Sequence, residues 1–477
     1  MATSKLPNSY LGFLSAILSL FLLSQPFTQP AVSLSRIEFL PGFDGALPFE
    51  LETGYVGVDE SEDVQLFYYF FESEDNYREG PLLLWLTGGP GCSTVSAIFF
   101  ENGPLKFVEV KYDGRLPRLT LNPHSWTKTA SIIFVDMPVG TGFSYARVPS
   151  ASHSSDFIAA RHANEFLRKW LMDHPKFLTN PVYLAGDSYS GFTVPVYFEE
   201  MRKGNEKGME PFINLKGYML GNPVTDPPTE DNSRVAFVHG MGLISDELYE
   251  SLQAKCHGNI RSVDPRNVEC VIDVQDFYRC ISGVQSNQVL EPVCAFASPM
   301  PHELLLGTGR RFLEDEHDAS QIQKPSLRDF YCRSDGYLLA FYFLNDKEVQ
   351  KALHVHEGSI GEWVRCNYGI NYTTDIWTSV PYHANLTAKG YRALIYSGDH
   401  DMVVPFRGTE VWIKSLNYSI VDDWRPWMVD GQVAGFTRTY SNNMTFATVK
   451  GGGHTAPEYR PKECVAMFRR WVSGDPL

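Results

Sequence analysis

The stretch Leu184-Ala185-Gly186-Asp187-Ser188-Tyr189-Ser190-Gly191 decides how the rest of the chain is interpreted. The residues before it, 181–185, are apolar and partly β-branched, which predicts a short buried strand. The residues after it, 192–203, predict a helix. A serine flanked by small residues on a strand-to-helix turn is the arrangement of a nucleophile elbow, which exposes the hydroxyl above a sheet. An ordinary Gly/Ser turn has the same local composition, so the assignment depends on the rest of the chain.

The bulk composition limits the class of protein. The chain has 477 residues, of which 43% are hydrophobic, enough for one large α/β domain or two smaller ones. Its formal net charge is −15. Because an acidic chain repels phosphate backbones, the charge argues against nucleic-acid binding.

The N-terminus predicts entry into the secretory pathway. Residues 10–23 form a Leu-, Phe- and Ile-rich run preceded by a single charged residue, Lys5. The run is short for a membrane span and is typical of a signal peptide, here expected over residues 1–31, while an uncleaved anchor is the alternative. We therefore expect no membrane segment after removal of the signal and a destination in the vacuole or outside the cell.

The cysteines and the glycosylation sequons fit that compartment. No C-x-x-C pair occurs, so disulfides are expected rather than a metal site or redox chemistry. The eight cysteines are Cys92, Cys256, Cys270, Cys280, Cys294, Cys332, Cys366 and Cys464. N-x-S/T sequons, which predict N-glycosylation in a secreted chain, begin at Asn371, Asn385, Asn417 and Asn443.

The remaining sequence predicts an alternation of strands and helices. Residues 49–56 and 64–71 predict an antiparallel strand pair, and the aromatic run in the second is expected to pack on both faces. Further strands are predicted at 81–86, 131–135, 214–220 and 392–396, and 436–440 and 444–449 predict a hairpin. Helices are predicted at 155–174, 409–416 and 461–472. This alternation is typical of a mostly parallel central sheet flanked by helices.

The alternation breaks over residues 222–343, which hold five of the cysteines. We expect a disulfide-held lid insertion there, between two parts of an α/β core at 32–221 and 344–477. Within the insertion, residues 299–325 are polar, carry Arg310-Arg311 and lack apolar periodicity. They predict an exposed loop that is open to proteolytic processing, and simple disorder is the alternative.

Three residues at predicted strand ends offer a serine nucleophile, its base and an orienting carboxylate. Ser188, Asp401 and His454 occur in the order of an α/β-hydrolase triad. Asp399 is a rival for the acid. The glycine-rich loop after strand 81–86 lacks the spacing of a P-loop or a dinucleotide-binding turn, and it can instead point backbone N–H groups at an oxyanion.

Six motifs occur in order: Trp85-Leu86-Thr87-Gly88-Gly89-Pro90-Gly91-Cys92-Ser93, Glu101-Asn102-Gly103-Pro104, and the segments 136–145, 186–191, 398–405 and 451–457. Together they resemble the serine carboxypeptidase-like proteins of plants, from about residue 49 to the C-terminus. The resemblance implies an α/β-hydrolase fold with Ser188, Asp401 and His454 as the triad and the N–H groups of Gly89 and Tyr189 as the oxyanion hole. It also implies the disulfides Cys92–Cys366, Cys256–Cys270 and Cys294–Cys332, leaving Cys280 and Cys464 free.

The sequence departs from the family's peptidases in the subsite that holds a peptide's free carboxylate. Trp85 and Glu101 are kept, but Thr87 stands where those peptidases have Asn, and Asp187 where they have Glu. Threonine lacks the two N–H donors of asparagine, and aspartate is one methylene shorter than glutamate. Leaving a buried carboxylate without such a bond costs roughly 1–3 kcal/mol, so exopeptidase activity should be weakened.

The motifs around the triad instead resemble the acyltransferase branch, whose members take acyl groups from 1-O-β-acylglucose esters. The implied partners are a small acyl donor, of hydroxycinnamoyl or galloyl type, and a hydroxyl acceptor. No cofactor or metal is expected. A serine carboxypeptidase is the second interpretation. A non-catalytic paralogue that pairs with an active enzyme is the third.

Overall fold

A computed structural model describes residues 35–75, 77–108, 112–294 and 332–477. The expected signal peptide, 1–31, and the expected processing loop, 299–325, lie outside these residues. Among the described helices, none combines the length and the apolar character needed to cross a membrane.

A twelve-stranded mixed sheet forms the centre of the described chain. In spatial order its strands are Ser35–Ile37, Leu51–Val58, Val64–Phe71, Ser131–Val135, Leu82–Leu86, Val182–Asp187, Leu215–Gly221, Arg392–Gly398, Met444–Val449, Gln432–Tyr440 and Ile420–Val429, and Tyr145–Ala146 pairs with Val64–Phe71. The six strands from Ser131–Val135 to Met444–Val449 run parallel. The flanking strands are antiparallel, so the parallel character predicted from the sequence belongs to the centre of the sheet.

The parallel strands are buried on both faces because their side chains alternate between two cores. In Leu82–Leu86, Leu83 and Trp85 pack into one core, whereas Leu82, Leu84 and Leu86 pack into the other. The aromatic strand Val64–Phe71 divides in the same way and is buried at every position. A single hydrophobic layer on each face therefore fixes the register of the strands that carry the site.

Helices cover both faces and the ends of the sheet. Their bounds are Asp156–Asp173, Ser190–Glu206, Pro227–Gly240, Asp246–Cys256, Val268–Ile281, Arg333–Leu344, Lys347–Ala352, Val380–Ala388, Phe406–Ser415, Ala456–Tyr459 and Pro461–Ser473. Short π or 3₁₀ turns lie at Ala97–Glu101, Trp126–Lys128, Pro149–Ser152 and Pro175–Phe177. Two-stranded ribbons pair Leu105–Phe107 with Leu119–Leu121 and Ser154–Ser155 with Tyr372–Thr373.

The predicted insertion, 222–343, is helical and contains no strand in its described part. Its division from the core stays a prediction. The three disulfides implied by the resemblance are present, namely Cys92–Cys366, Cys256–Cys270 and Cys294–Cys332. Cys280 is free and exposed, and Cys464 is free and buried.

Candidate active site

A strained turn carries Ser188 at the carboxyl end of the central strand Val182–Asp187. Ser188 has φ 55°, in the left-handed region that costs an ordinary residue about 1–2 kcal/mol. Three backbone hydrogen bonds hold the turn: the Ser188 N–H donates to Gly221, and the Ser188 carbonyl accepts from Gly191 and Val224 at 3.0 and 2.9 Å. A side chain at Gly186 would overlap the Leu86 carbonyl oxygen. The small residues around the serine are therefore required by close backbone packing.

Ser188, His454 and Asp401 lie in hydrogen-bonding sequence. The Oγ of Ser188 is 2.9 Å from Nε2 of His454, and Nδ1 of His454 is 2.8 Å from Oδ2 of Asp401. Each residue follows a parallel strand at its carboxyl end, where the ends of neighbouring strands meet. The three groups have the geometry of a nucleophile, a general base and the carboxylate that orients the base.

Asp401 rather than Asp399 faces the histidine. Asp401 is completely buried and also accepts hydrogen bonds from the amides of Val403 and Val404, at 2.8 and 3.2 Å. The carboxylate of Asp399 instead contacts Nδ1 of His400 and the amide of Gly451. The side chains thus separate the two candidates that the sequence left open.

Asn222 is a site residue that the sequence interpretation missed. Its Nδ2 donates to Oδ2 of Asp401 at 2.8 Å, and its Oδ1 accepts from the amide of Gly398 at 2.9 Å. It is fully buried and directly follows the strand Leu215–Gly221. A polar side chain at a parallel strand end was the signal available in the sequence.

His454 combines burial with a close negative charge. Burial lowers the pKa of His454, but the charge and hydrogen bond of Asp401, aided by Asp187, outweigh it, and the pKa is raised above 6.5. The imidazolium that forms when the base takes a proton is therefore stabilised by this site.

The backbone beside Ser188 is arranged to receive an anion. A side chain at Gly88 would lie 2.7 Å from Cβ of Ser188 and 2.8 Å from the Tyr189 nitrogen, so the glycine-rich loop approaches the elbow closely. Gly89 has φ 125°, a conformation suited to glycine. Among the described residues, neither the Gly89 nor the Tyr189 amide has a hydrogen-bond acceptor. Both N–H groups are therefore available to an oxyanion.

Trp85, Thr87, Glu101 and Asp187 form a polar subsite next to the elbow. Leu86 pairs with Gly186 in the sheet, so the next residues along the two strands, Thr87 and Asp187, are neighbours. Nε1 of Trp85, Oγ1 of Thr87 and Oε2 of Glu101 are buried without a hydrogen-bond partner in the described part of the chain. Unpartnered buried polar groups of this kind are expected where a polar ligand binds.

Glu101 and Asp187 are neighbouring buried carboxyl groups whose pKa values are both raised. Burial, together with the charges of Asp187 and Glu458, raises the pKa of Glu101 well above its usual range. Burial also raises the pKa of Asp187, although His454 and a hydrogen bond from Glu101 oppose the rise. The larger rise is at Glu101, and a proton held there avoids two adjacent buried charges.

A segment of the insertion binds directly to the loops that carry the acid and the base. The carbonyl of Asn287 accepts from the amide of His454 at 2.8 Å, and the carbonyl of Ser286 accepts from the amide of Met402 at 2.8 Å. Val289 donates to the His400 carbonyl at 3.1 Å, and the side chain of Gln288 donates to the Gly451 carbonyl at 3.1 Å. Residues 286–289 thus support both catalytic loops.

A family model described as serine carboxypeptidase matches residues 41–474. The chain belongs to the serine carboxypeptidase family. Serine carboxypeptidase-like 1 of Arabidopsis thaliana is 51% identical over 99% of this chain and 100% of its own length. Serine carboxypeptidase-like 17 of the same plant is 50% identical over 98% of this chain and 99% of its own length.

A solved structure of Kex1(Δ)p, a prohormone-processing carboxypeptidase from Saccharomyces cerevisiae, has a TM-score of 0.67 to this chain. It is 20% identical, and the match covers 89% of this chain and 91% of that one. This likeness confirms the predicted α/β-hydrolase fold, and the family resemblance inferred from the six motifs is also confirmed. The comparisons establish an enzyme family, while the reaction of this member is a separate question.

The four sequon asparagines, Asn371, Asn385, Asn417 and Asn443, are exposed. Their positions leave room for attached glycans, and glycosylation itself stays a prediction.

Proposed function

We propose that this member transfers an acyl group from a 1-O-β-acylglucose to a hydroxyl acceptor, as an acyltransferase of plant secondary metabolism. The observation that carries the proposal is the composition of the subsite formed by Trp85, Thr87, Glu101 and Asp187, here called the donor subsite. Thr87 replaces the asparagine of the family's peptidases, and the free polar atoms there are an indole N–H, a hydroxyl and one oxygen of a protonated Glu101. Neutral groups of this kind suit the hydroxyls of a sugar better than a free carboxylate.

The first half of the reaction forms an acyl-serine. Oγ of Ser188 attacks the ester carbonyl carbon while Nε2 of His454 takes the hydroxyl proton. The carbonyl oxygen becomes an oxyanion that the amides of Gly89 and Tyr189 stabilise. When the tetrahedral intermediate collapses, the bond to the glucose oxygen breaks and the imidazolium returns its proton to that oxygen, which releases glucose.

The second half transfers the acyl group to the acceptor. His454 takes the proton of an acceptor hydroxyl as that oxygen attacks the acyl-serine. A second oxyanion forms at the same amides. Its collapse breaks the bond to Ser188, and His454 returns the proton to the serine. Water competes for the acyl-enzyme, so a well-positioned acceptor is required for transfer.

A serine carboxypeptidase is the competing function, and it has a specific observation in its favour. Trp85 and the hydrogen-bonded pair of Glu101 and Asp187 keep part of the arrangement by which the family's peptidases hold a carboxylate. A non-catalytic partner of an active paralogue is the third possibility. The assembled triad argues against it, because a scaffold has no need for a 2.9 Å contact between serine and imidazole.

A paired assay on the purified glycoprotein tests the proposal. One arm offers sinapoylglucose or galloylglucose with a panel of hydroxyl acceptors, and the other offers blocked dipeptides at acidic pH. We expect ester product in the first arm and its loss in Ser188→Ala. We expect the double variant Thr87→Asn/Asp187→Glu to gain amino-acid release. Amino-acid release by the unaltered protein, without ester product, would contradict the proposal.

We also propose that the protein follows the secretory route to the vacuole or the cell exterior, with its signal peptide removed. Any processing within 299–325 would leave two pieces joined by Cys294–Cys332, because those cysteines lie on either side of the cut.

A further inference from the structure

A buried carboxylate connects the donor subsite to the insertion. Glu458 lies in the short helix Ala456–Tyr459, just after His454, and its side chain is only 4% exposed. Its Oε2 accepts from the hydroxyl of Thr455 at 2.7 Å, and both of its oxygens lie 3.1 Å from the hydroxyl of Tyr337. A charge buried this deeply requires compensation. Burial raises the pKa of Glu458, and one cation that opposes this rise comes from another part of the chain.

Arg333 supplies that cation from the insertion. Its Nη1 lies 3.7 Å from Oε1 of Glu458, and its Nη2 lies 2.7 Å from Oε1 of Glu291. Its guanidinium also covers the ring of Tyr459 at 4.3 Å. The disulfide Cys294–Cys332 joins the two segments that carry Glu291 and Arg333. The cation is therefore held in place from three directions.

The same cluster reaches Glu101. Tyr337, which donates to Glu458, packs edge-on against Phe100 at 4.9 Å, and Phe100 directly precedes Glu101. The charge of Glu458 acts on Glu101 through this low-dielectric packing and is one of the causes that raise its pKa.

We propose that Glu458, with Arg333 as its counter-ion, is a positioning residue that sets the charge state of the Glu101–Asp187 pair and thereby tunes donor binding from the insertion side. The inference rests on the proposed function only in naming an acylglucose as the donor. The electrostatic coupling itself is the same for any ligand of the donor subsite.

Every charged or titratable group that faces the cluster bears on this coupling. The groups that face Glu101 are Asp187, Glu458, Arg365, Tyr396 and Cys464. Those that face Asp187 are Glu101, His454 and Tyr396. Those that face Glu458 are Arg333, Arg365, Tyr337 and Tyr459. Arg365 stacks on the Tyr337 ring at 4.1 Å and opposes the rise in the pKa of Glu101. Glu458→Gln removes a negative charge from the cluster and should lower the pKa of Glu101, whereas loss of Arg333 would itself favour protonation of Glu458.

The test measures the pH at which the KM for the donor begins to rise, since binding should weaken when the Glu101–Asp187 pair loses its proton. Sinapoylglucose is the first substrate, and a blocked dipeptide replaces it if only peptidase activity is found. Labelling by a fluorophosphonate, which forms a bond to Ser188 Oγ and releases fluoride, checks that each variant is folded and active. Arg266→Met is the matched control, because Arg266 forms an exposed pair with Asp264 in the same insertion.

Glu458→Gln should move the KM transition to lower pH by about one pH unit. Arg333→Lys keeps the positive charge beside Glu458, so its transition should lie close to that of the unaltered protein, and Arg266→Met should leave the transition in place. A transition that stays in place in Glu458→Gln would overturn the proposal. Absence of sinapoylglucose turnover, with the shift of Glu458→Gln seen on the dipeptide, would count against the transferase and not against the coupling.

Discussion

Removing the Asn222 side chain should both destabilise the protein and slow its serine. Asn222 connects two buried groups: its Nδ2 donates to Asp401, and its Oδ1 accepts from the amide of Gly398. The residue also has φ 41°, which asparagine and glycine adopt more readily than alanine. The variants Asn222→Ala and Asn222→Gly separate these contributions.

The size of the effect follows from the contacts. A lost hydrogen bond to a charged carboxylate costs about 1.5–3 kcal/mol, and a buried amide left without an acceptor costs about 1–3 kcal/mol. Alanine adds about 1–2 kcal/mol for the left-handed backbone, which glycine avoids. We therefore expect Asn222→Gly to lower the free energy of unfolding by about 2.5–6 kcal/mol and Asn222→Ala by about 3.5–8 kcal/mol.

Catalysis should fall in both variants by a similar factor. Asp401 keeps the amides of Val403 and Val404 but loses the hydrogen bond from Asn222, so the carboxylate is held less firmly against His454. A small misplacement of a catalytic group costs about 10- to 100-fold in rate. The rate constant for fluorophosphonate labelling of Ser188 measures this without any assumption about the natural substrate.

Denaturant unfolding and labelling rates together test the reasoning. If Asn222→Gly has the same free energy of unfolding as the unaltered protein, the two hydrogen bonds contribute nothing to stability. Equal stabilities of the Ala and Gly variants would refute the argument from φ. Normal labelling in both would mean that two amides are enough to orient Asp401. Lys216→Ala, at an exposed position of the preceding strand, is a suitable control.

Three further predictions concern the triad, its pH dependence and the insertion. Ser188→Ala should reduce turnover by about 10⁴-fold or more. Asp399→Asn should keep most of the turnover, because Asp399 contacts His400 and Gly451 instead of His454. Equal losses in the two variants would contradict the assignment of Asp401 as the acid. Because the pKa of His454 is raised above 6.5, kcat/KM should fall as the pH drops through that raised value. Asp187→Asn removes one of the charges that raise this pKa, so it should move the acid limb of the pH–rate profile to lower pH. An acid limb that does not move would contradict the effect of Asp187 on His454. Native protein cut within 299–325 should give one band on non-reducing gels and two on reducing gels, because Cys294–Cys332 joins the pieces; a single full-length band after reduction would show that no cut occurs.

The sequence predicted the elements whose pattern is local. The strands 64–71, 131–135 and 444–449 have the predicted bounds, because their buried faces alternate without interruption. The helix predicted at 192–203 spans Ser190–Glu206, and its start moves because the elbow turns directly into the helix. The triad was predictable for a related reason, because each of its residues lies in a short motif that follows a predicted strand.

The edge strand Ile420–Val429 was not predicted. It contains two adjacent aspartates and Pro426, and most of its side chains are exposed. Such residues are frequent on edge strands, where they block pairing with another chain, but they are equally typical of a loop. The local sequence pattern therefore could not distinguish an edge strand from a loop.

Contacts between distant segments were also beyond the sequence. Asn222 is 179 residues from its partner Asp401, and Arg333 is 125 residues from Glu458. Nothing in the local sequence around either residue encodes such a partner. The antiparallel pairs at 49–56 with 64–71 and at 436–440 with 444–449 were predicted and are present. The order of the strands across the sheet was not, because it depends on tertiary packing rather than on local propensity.

The hydrogen bonds from residues 286–289 to the catalytic loops have a consequence for exchanging parts between relatives. Two of the four bonds use backbone carbonyls of Ser286 and Asn287, so many side chains are tolerated there, but the path of the chain must be kept. An exchange that starts at residue 222 and extends past residue 290 replaces the segment that supports the host's own acid and base. An exchange that starts there and ends before residue 286 keeps that segment and replaces only the three helices between Pro227 and Ile281. The point at which the insertion can be treated as a separate module is therefore set by a short run of chain that has no regular secondary structure.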